Sequence, residues 1–442
     1  MKKPMHILKT ACVLLGATLV TPAAADDLVS VYRQALDSDP TFQAAGAAYQ
    51  AALEIRPQSR AGVLPELGVT GSYSRDRFDP RTTGPTTYAT NQTYTLGLRQ
   101  PVFRLDRFIQ LEQSDSLIAQ ADAEYAAARQ DLIIRVATAY FTLLGAQDNL
   151  EFVRADKLAL TRTLDQAQQR FEVGLAAITD SLKAQAAYDI AVSDEISAEQ
   201  LLADAREALR ELTATLPEEP EVLTANIPLL APEPATVGDW VTAASEQNPQ
   251  VLAARAAATT AREEVRVQRS GHYPTVDLTA NYSYRDNRFG GITPLERDDS
   301  AVGLELNLPL YQGGRVSSQT REFRHRYNQA LEEQVRQQRA VERQTRDNYR
   351  GVISGISRVN ALARAIQSNE KAFEAAQAGF DVGTRDIVDV LDAQRELLGA
   401  RRDHARSRYD YLLSTLRLKQ AAGILQESDL VQVNEWLVEN ES

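Results

Sequence analysis

The 442-residue chain repeats itself at one fixed step, the distance from Gly174 to Gly383. Val173-Gly174, Ile178, Asp180, Leu182 and Ala184-Gln185 return as Val382-Gly383, Ile387, Asp389, Leu391 and Ala393-Gln394. The same step carries Asp39-Pro40 to Asn248-Pro249, Pro65 to Pro274, Tyr73-Ser74 to Tyr282-Ser283, Tyr140 to Tyr349 and Phe171 to Phe380. Only Pro101-Val102 slips, by one residue, to Pro309-Leu310. A single spacing held across most of each half means two copies of one structural unit. The expected division is a first repeat over 26–216, a connector over 217–236, a second repeat over 237–425 and a tail over 426–442. The connector holds Pro217, Pro220, Pro228, Pro232 and Pro234 among Glu218, Glu219, Glu221 and Glu233, and prolines at that density cannot continue a helix.

Each unit opens with an alanine-rich helix, over 27–56 and 237–270, which a proline is expected to end. Strand patterns follow. Val276, Leu278, Ala280, Tyr282 and Tyr284 alternate with Asp277, Thr279, Asn281 and Ser283, and Val302, Leu304, Leu306 and Leu308 with Gly303, Glu305 and Asn307. The first copy is softer, with Leu67, Val69, Gly71 and Tyr73, then Tyr94, Leu96 and Leu98. A period of two puts the apolar set on one face and the polar set on the other. Residues 78–93 and 285–300, rich in Asp, Arg, Thr, Gly and Pro, are expected as exposed hairpin loops.

Long helices come next, since neither 104–171 nor 314–380 contains a proline. Leu132, Val136, Tyr140, Leu143, Gln147 and Leu150 step by three and four, as do Thr345, Tyr349, Val352, Ile356 and Val359. That is a coiled-coil-like seam. Gly174 and Gly383 supply the left-handed residue that ends each long helix. Antiparallel partner helices are expected over 180–215 and 384–422.

The N-terminus decides the compartment. Lys2, Lys3 and Lys9 precede an apolar run from Ala11 to Val20 and then Thr21-Pro22-Ala23-Ala24-Ala25, the order of a secretory signal peptide over 1–25. A membrane anchor would need about 20 apolar residues, roughly twice that run. The only cysteine, Cys12, lies inside the leader, so disulfides, thiolate metal sites and cysteine nucleophiles are excluded from the exported chain. An exported chain without a spanning helix can still enter a membrane through alternating strands, with Tyr73, Tyr94, Phe103, Tyr282, Tyr284 and Tyr311 as interfacial aromatics. The other reading of these strands is a soluble hairpin with one buried face, which would make the chain a periplasmic coiled-coil adaptor or structural spacer without a pore.

Four strands cannot close a barrel, and an open sheet leaves its edge donors and acceptors unpaired in lipid. Copies of the chain must therefore pool their strands, and their long helices likewise.

Val382-Gly383-Thr384-Arg385-Asp386-Ile387-Val388-Asp389-Val390-Leu391-Asp392-Ala393 resembles the signature of the TolC family of outer-membrane channel proteins, and Arg170-Phe171-Glu172-Val173-Gly174-Leu175-Ala176-Ala177-Ile178-Thr179-Asp180 its partner in the first half. Leu308-Pro309-Leu310-Tyr311-Gln312-Gly313-Gly314 looks like the family's strand-to-helix junction. The resemblance covers nearly the whole exported chain and, with no lipidation cysteine, lies away from the lipid-anchored multidrug members. It implies mostly long α-helices forming an α-barrel, plus four strands per chain in a homotrimeric twelve-stranded transmembrane β-barrel. It also implies a periplasmic adaptor and an inner-membrane RND-type or ABC-type transporter as partners, outer-membrane lipid around the barrel, and export of drugs, small toxic compounds and secreted proteins.

By the same resemblance Asp389 and Asp392, one helical turn apart, stand at the constricted periplasmic entrance. Gln169, Thr179 and Asp180 face Phe380 and Arg385 as a latch that holds the inner hairpin shut. Position 380 departs from the family's tyrosine. Phenylalanine has no hydroxyl to link to Asp180, which is expected to attract Arg385 instead. The first repeat has Asp180 and Lys183 where the second has the paired acids.

Signals for other chemistry are weak. His272, His325 and His404 carry no metal-ligand spacing, and Gly313-Gly314 lacks the ending of a phosphate loop. With 48 Lys and Arg against 60 Asp and Glu, and with runs of mixed sign such as 321–346, a nucleic-acid partner is disfavoured. No enzyme activity and no cofactor are expected. A trimeric adhesin would carry its strands at the C-terminus rather than in two duplicated pairs.

Overall fold

The computed structural model describes residues 27–79, 84–215, 220–289 and 295–438. The leader over 1–25 lies outside them, as do residues 216–219 of the first repeat and connector and the last four residues of the tail. The first repeat holds α1 (Leu28–Ser38), α2 (Pro40–Leu53), α3 (Ile55–Ala61), β1 (Glu66–Phe78), β2 (Thr87–Phe103), α4 (Leu105–Glu172) and α5 (Ile178–Thr213). A short β3 (Val222–Leu223) follows, then α6 (Val237–Gln247), α7 (Pro249–Ser270), β4 (Thr275–Phe289), β5 (Leu295–Asn307), α8 (Arg315–Asp381) and α9 (Ile387–Ala422). The chain ends with α10 (Glu427–Asn434) and β6 (Leu437–Val438).

The opening helices are broken, not continuous. Asp39 and Asn248 end one helix and cap the next, each followed by a proline whose missing N–H costs nothing at a first helical position. Asp39 Oδ2 accepts from the Phe42 amide at 2.8 Å, and Asn248 Oδ1 from the Gln250 amide at 2.9 Å. Pro57, expected to end the first helix, lies instead in the first turn of α3, where no intrahelical N–H is required.

The long helices match their expected spans closely. α4 has 68 residues and α8 has 67, so each reaches on the order of 100 Å at ~1.5 Å per residue. The expected seams are buried. Leu132, Val136, Tyr140 and Leu143 are at most 2% exposed, and Thr345 and Val352 at most 1%. Around them Leu28, Tyr32, Phe141, Leu209, Leu412, Leu416 and Leu430 form the main core, which joins both repeats with the C-terminal helix α10.

The connector is stitched down rather than free. β3 pairs with β6, the Tyr140 hydroxyl donates to the Glu221 carbonyl at 3.0 Å, and the Tyr411 hydroxyl meets both the amide and the carbonyl of Leu230. Trp240 Nε1 donates to the Pro234 carbonyl at 2.8 Å.

The four long strands form one antiparallel sheet in the order β1-β2-β4-β5, so the two repeats meet along β2 and β4. Here the expected loops are corrected. Most of the described residues of 78–93 and 285–300 are strand, with Arg75 opposite Thr90, Arg77 opposite Tyr88 and Asp286 opposite Glu296. The alternation vanishes there because both faces of those ladders carry polar side chains, which hides a strand whose hydrogen bonding continues unbroken.

Candidate functional site

The sheet has two unlike faces. Reading across the registered ladders, one face shows Leu67, Leu98, Ala280 and Val302 in one row, then Val69, Leu96, Tyr282 and Ser300 in the next. Leu278 with Leu304 and Val276 with Leu306 extend this apolar band at one end, and Tyr94 with Tyr284 border it at the other. In the single chain these side chains are exposed or half-exposed, Val302 to 79% and Leu304 to 71%. The Tyr94 ring lies over Gly71, where an added Cβ would come within 3.2 Å of it.

The opposite face is small and polar. It carries Gly68, Thr70, Ser72 and Ser74 from β1, Asn91, Thr93, Thr95 and Gly97 from β2, and Thr279, Asn281 and Ser283 from β4. Thr95 and Ser283 hydroxyls meet at 3.0 Å, and Asn91 Nδ2 donates to Asp76 Oδ2 at 2.8 Å. Where the sheet passes into the helices, the Asp277 carboxylate is nearly sealed, with Arg99 Nη2 at 2.6 Å and Arg104 Nη2 at 2.7 Å. Arg104 occupies the residue that starts α4, so this ion cluster ties the β2–α4 junction to β4. No helix among the described residues is long and apolar enough to cross a membrane. An apolar outer face with a polar inner one is what a lipid-embedded wall around water requires.

A family model described as outer membrane efflux protein matches residues 31–215 and 240–424. The chain belongs to the outer membrane efflux protein family. It is 38% identical, over 99% of both chains, to the outer membrane protein TolC of Vibrio cholerae serotype O1. It is 30% identical to the alkaline protease secretion protein AprF of Pseudomonas aeruginosa, over 97% of this chain and 92% of the relative. The fold matches the crystal structure of the outer membrane protein VceC from Vibrio cholerae with a TM-score of 0.77, 23% identity, 90% of this chain and 97% of that one. This efflux protein is an outer-membrane channel with a large periplasmic helical portion.

At the far end of the helices both hairpins of the efflux protein turn in the same way. Gly174 (φ +76°) and Gly383 (φ +77°) follow the last helical residues. Leu175 N donates to the Arg170 carbonyl at 2.8 Å and Gly174 N to that of Phe171, while Thr384 N donates to the Gly379 carbonyl at 2.8 Å and Gly383 N to that of Phe380. These paired bonds satisfy carbonyls that a helix end leaves bare.

The sequence-derived entrance residues lie at or beside the tip ends of α4, α5, α8 and α9. Phe380 is buried with Leu160, Leu164, Ala167, Ala184, Ile387 and Val390 in a second core at the tip. Asp389 and Asp392 lie exposed on α9 near its start. Thr179 Oγ1 is 3.4 Å from Asp180 Oδ1, and Gln169 is exposed on α4. Within the chain Lys183 crosses to the second hairpin, with Nζ 3.6 Å from Asp386 Oδ2. Arg385 lies along Gly379, whose added Cβ would sit 2.9 Å from the Arg385 Cγ.

Other contacts here escaped the sequence reading. Arg170 crosses to Phe380 and to the Phe380 and Asp381 carbonyls, and Gln166 Nε2 donates to Asp381 Oδ1 at 3.2 Å. Above them Gln394 Nε2 donates to Asp156 Oδ1 at 2.6 Å. Burial raises the Asp156 carboxyl above its ordinary value, against the Gln394 hydrogen bond. A signal existed for Arg170, because the repeat step aligns it with Gly379. The same turn carries a cross-linking side chain in one copy and none in the other.

Proposed function

We propose that three copies of the efflux protein pool their sheets into a twelve-stranded barrel, continued across the periplasm by a tube of the paired long helices. One observation carries this reading. β1 and β5 each pair on one side only, while the face they share carries the apolar band. Free edges inside lipid are costly enough that the next chain's strand is the economical partner. The repeats then serve as the two helical hairpins of each third of the tube, joined by the connector over 217–236.

The tip is the gate. Asp389 and Asp392 from each chain ring the entrance, where crowded carboxylates favour cations over anions. Gln169, Thr179, Asp180 and Phe380 with Arg385 hold the hairpin of α8 and α9 closed, Arg385 reaching acceptors of the adjoining chain. A periplasmic adaptor docks at the tip and links the tube to an RND-type or ABC-type inner-membrane transporter. Small toxic compounds and drugs pass, and the likeness to a protease secretion protein supports secreted proteins as further cargo. The protein transports and performs no catalysis. Planar-bilayer recording tests the reading: Asp389→Asn with Asp392→Asn should weaken block by multivalent cations at least tenfold, and undiminished block would refute the entrance assignment.

A further inference from the structure

The charges at the start of α9 do not stop at the two aspartates. One turn beyond Asp392, Arg395 Nη1 donates to Asp392 Oδ1 at 2.9 Å. The same guanidinium borders a groove between the two hairpins with Asp156, Asp194 and Gln394. The Arg395 and Asp392 side chains are 70% and 57% exposed, so the pair faces water and contributes little to stability. Its consequence is electrostatic. A guanidinium stays charged at any physiological pH, and it stands against one of the two carboxylates while Asp389, a turn nearer the tip, has no ion-pair partner among the described residues. The first hairpin adds to the same balance, since Lys183 occupies the repeat position of Asp392 and lies 3.6 Å from Asp386.

We propose that Arg395 is a specificity-determining residue of the channel: it offsets Asp392, so that the fixed charge presented to passing ions is set by Asp389. This rests on the Asp389 and Asp392 pair being the entrance. Rings of charge set ion preference by their net value, so one arginine per chain removes half of what the two acids supply. The entrance is then only mildly cation-preferring, a property suited to a duct that must pass solutes of either sign.

Reversal potentials of the full chain in planar bilayers under a KCl gradient provide the test. Arg395→Gln should raise the ratio of potassium to chloride permeability by about threefold. Arg395→Lys should keep the parent ratio, as should Arg402→Gln, which removes an exposed arginine two turns further along α9. Arg395→Ala is read in the same way should the glutamine form fail to assemble. An unchanged ratio in Arg395→Gln, in a channel whose ratio falls with Asp389→Asn, overturns the role of Arg395 and leaves the entrance standing. No response to Arg395→Gln, Asp389→Asn or Asp392→Asn overturns the entrance itself. An equal rise in Arg402→Gln also overturns the proposal, because any lost positive charge would then suffice.

Discussion

The Arg170 guanidinium carbon lies 4.6 Å from the centroid of the Phe380 ring, and its two terminal nitrogens reach the Phe380 and Asp381 carbonyls at 3.2 and 3.3 Å. One side chain of the first hairpin thus covers an aromatic face and caps the end of the long helix in the second. A cation at a helix C-terminus is favoured by the helix dipole as well. With phenylalanine at 380, this contact joins the hairpins without any hydroxyl.

Arg170→Ala should loosen that junction. Losing the ring contact costs about 1 kcal/mol at a partly exposed site, and two carbonyls lose a charged donor. Hydrogen exchange of amides 378–386 should accelerate about tenfold, with amides near Tyr140 unchanged. Unaltered exchange at the tip would show that the apolar packing of Phe380 holds the hairpins together by itself.

Asp39 is the second point where one residue joins several elements. Arg135 Nη1 and Nη2 hold its carboxylate at 3.0 and 2.7 Å while it caps α2. These contacts, Arg135 first, lower its pKa below 3.8. The sign follows: the folded state binds this proton less tightly than the unfolded chain, so the stabilisation is complete above 3.8 and is lost as pH falls through the depressed folded value. Asp39→Asn should cost about 2 kcal/mol at neutral pH, read as a lower denaturant midpoint, and much less in strong acid.

In the main core the Tyr409 hydroxyl donates to Asp148 Oδ2 at 2.7 Å. Burial raises the Asp148 carboxyl, and burial together with the neighbouring carboxylate raises the Tyr409 hydroxyl far above its usual range. Tyr409→Phe removes the donor and leaves a buried acceptor, costing about 1–3 kcal/mol. The cost should shrink as pH falls towards the raised pKa of the Asp148 carboxyl, because only the ionised carboxylate is fully stranded. A loss that stays the same as pH falls would mean that water reaches Asp148.

The two faces of the sheet predict opposite tolerance. Leu304→Arg places a charge on the apolar band and should cost about 2–4 kcal/mol near the bilayer midplane, seen as loss of the assembled form from outer-membrane fractions. Thr70→Arg, on the polar face, should assemble normally and change conductance instead.

Much of this architecture is legible because the repeat step exposes it. Gly174 and Gly383 mark turns, and the spacings from Leu132 and from Thr345 mark seams, through rules that act over a few residues. Strands were visible only where one face is apolar, as from Val302 to Leu308, and invisible near Arg75 or Asp286, where both faces are polar. The breaks at Asp39 and Asn248 were present as a repeated acidic-or-amide residue before proline, yet the alanine-rich flanks masked them. Arg170 on Phe380, Lys183 on Asp386, and Arg99 with Arg104 on Asp277 join residues far apart in the chain. No local pattern announces such pairs, and only the folded chain brings them together.

Native mass spectrometry of the detergent-extracted assembly tests the pooling of strands most directly. Pooled strands require particles of three chains that conduct ions when added to a lipid bilayer. Single chains or pairs, electrically silent in the same bilayers, would contradict it.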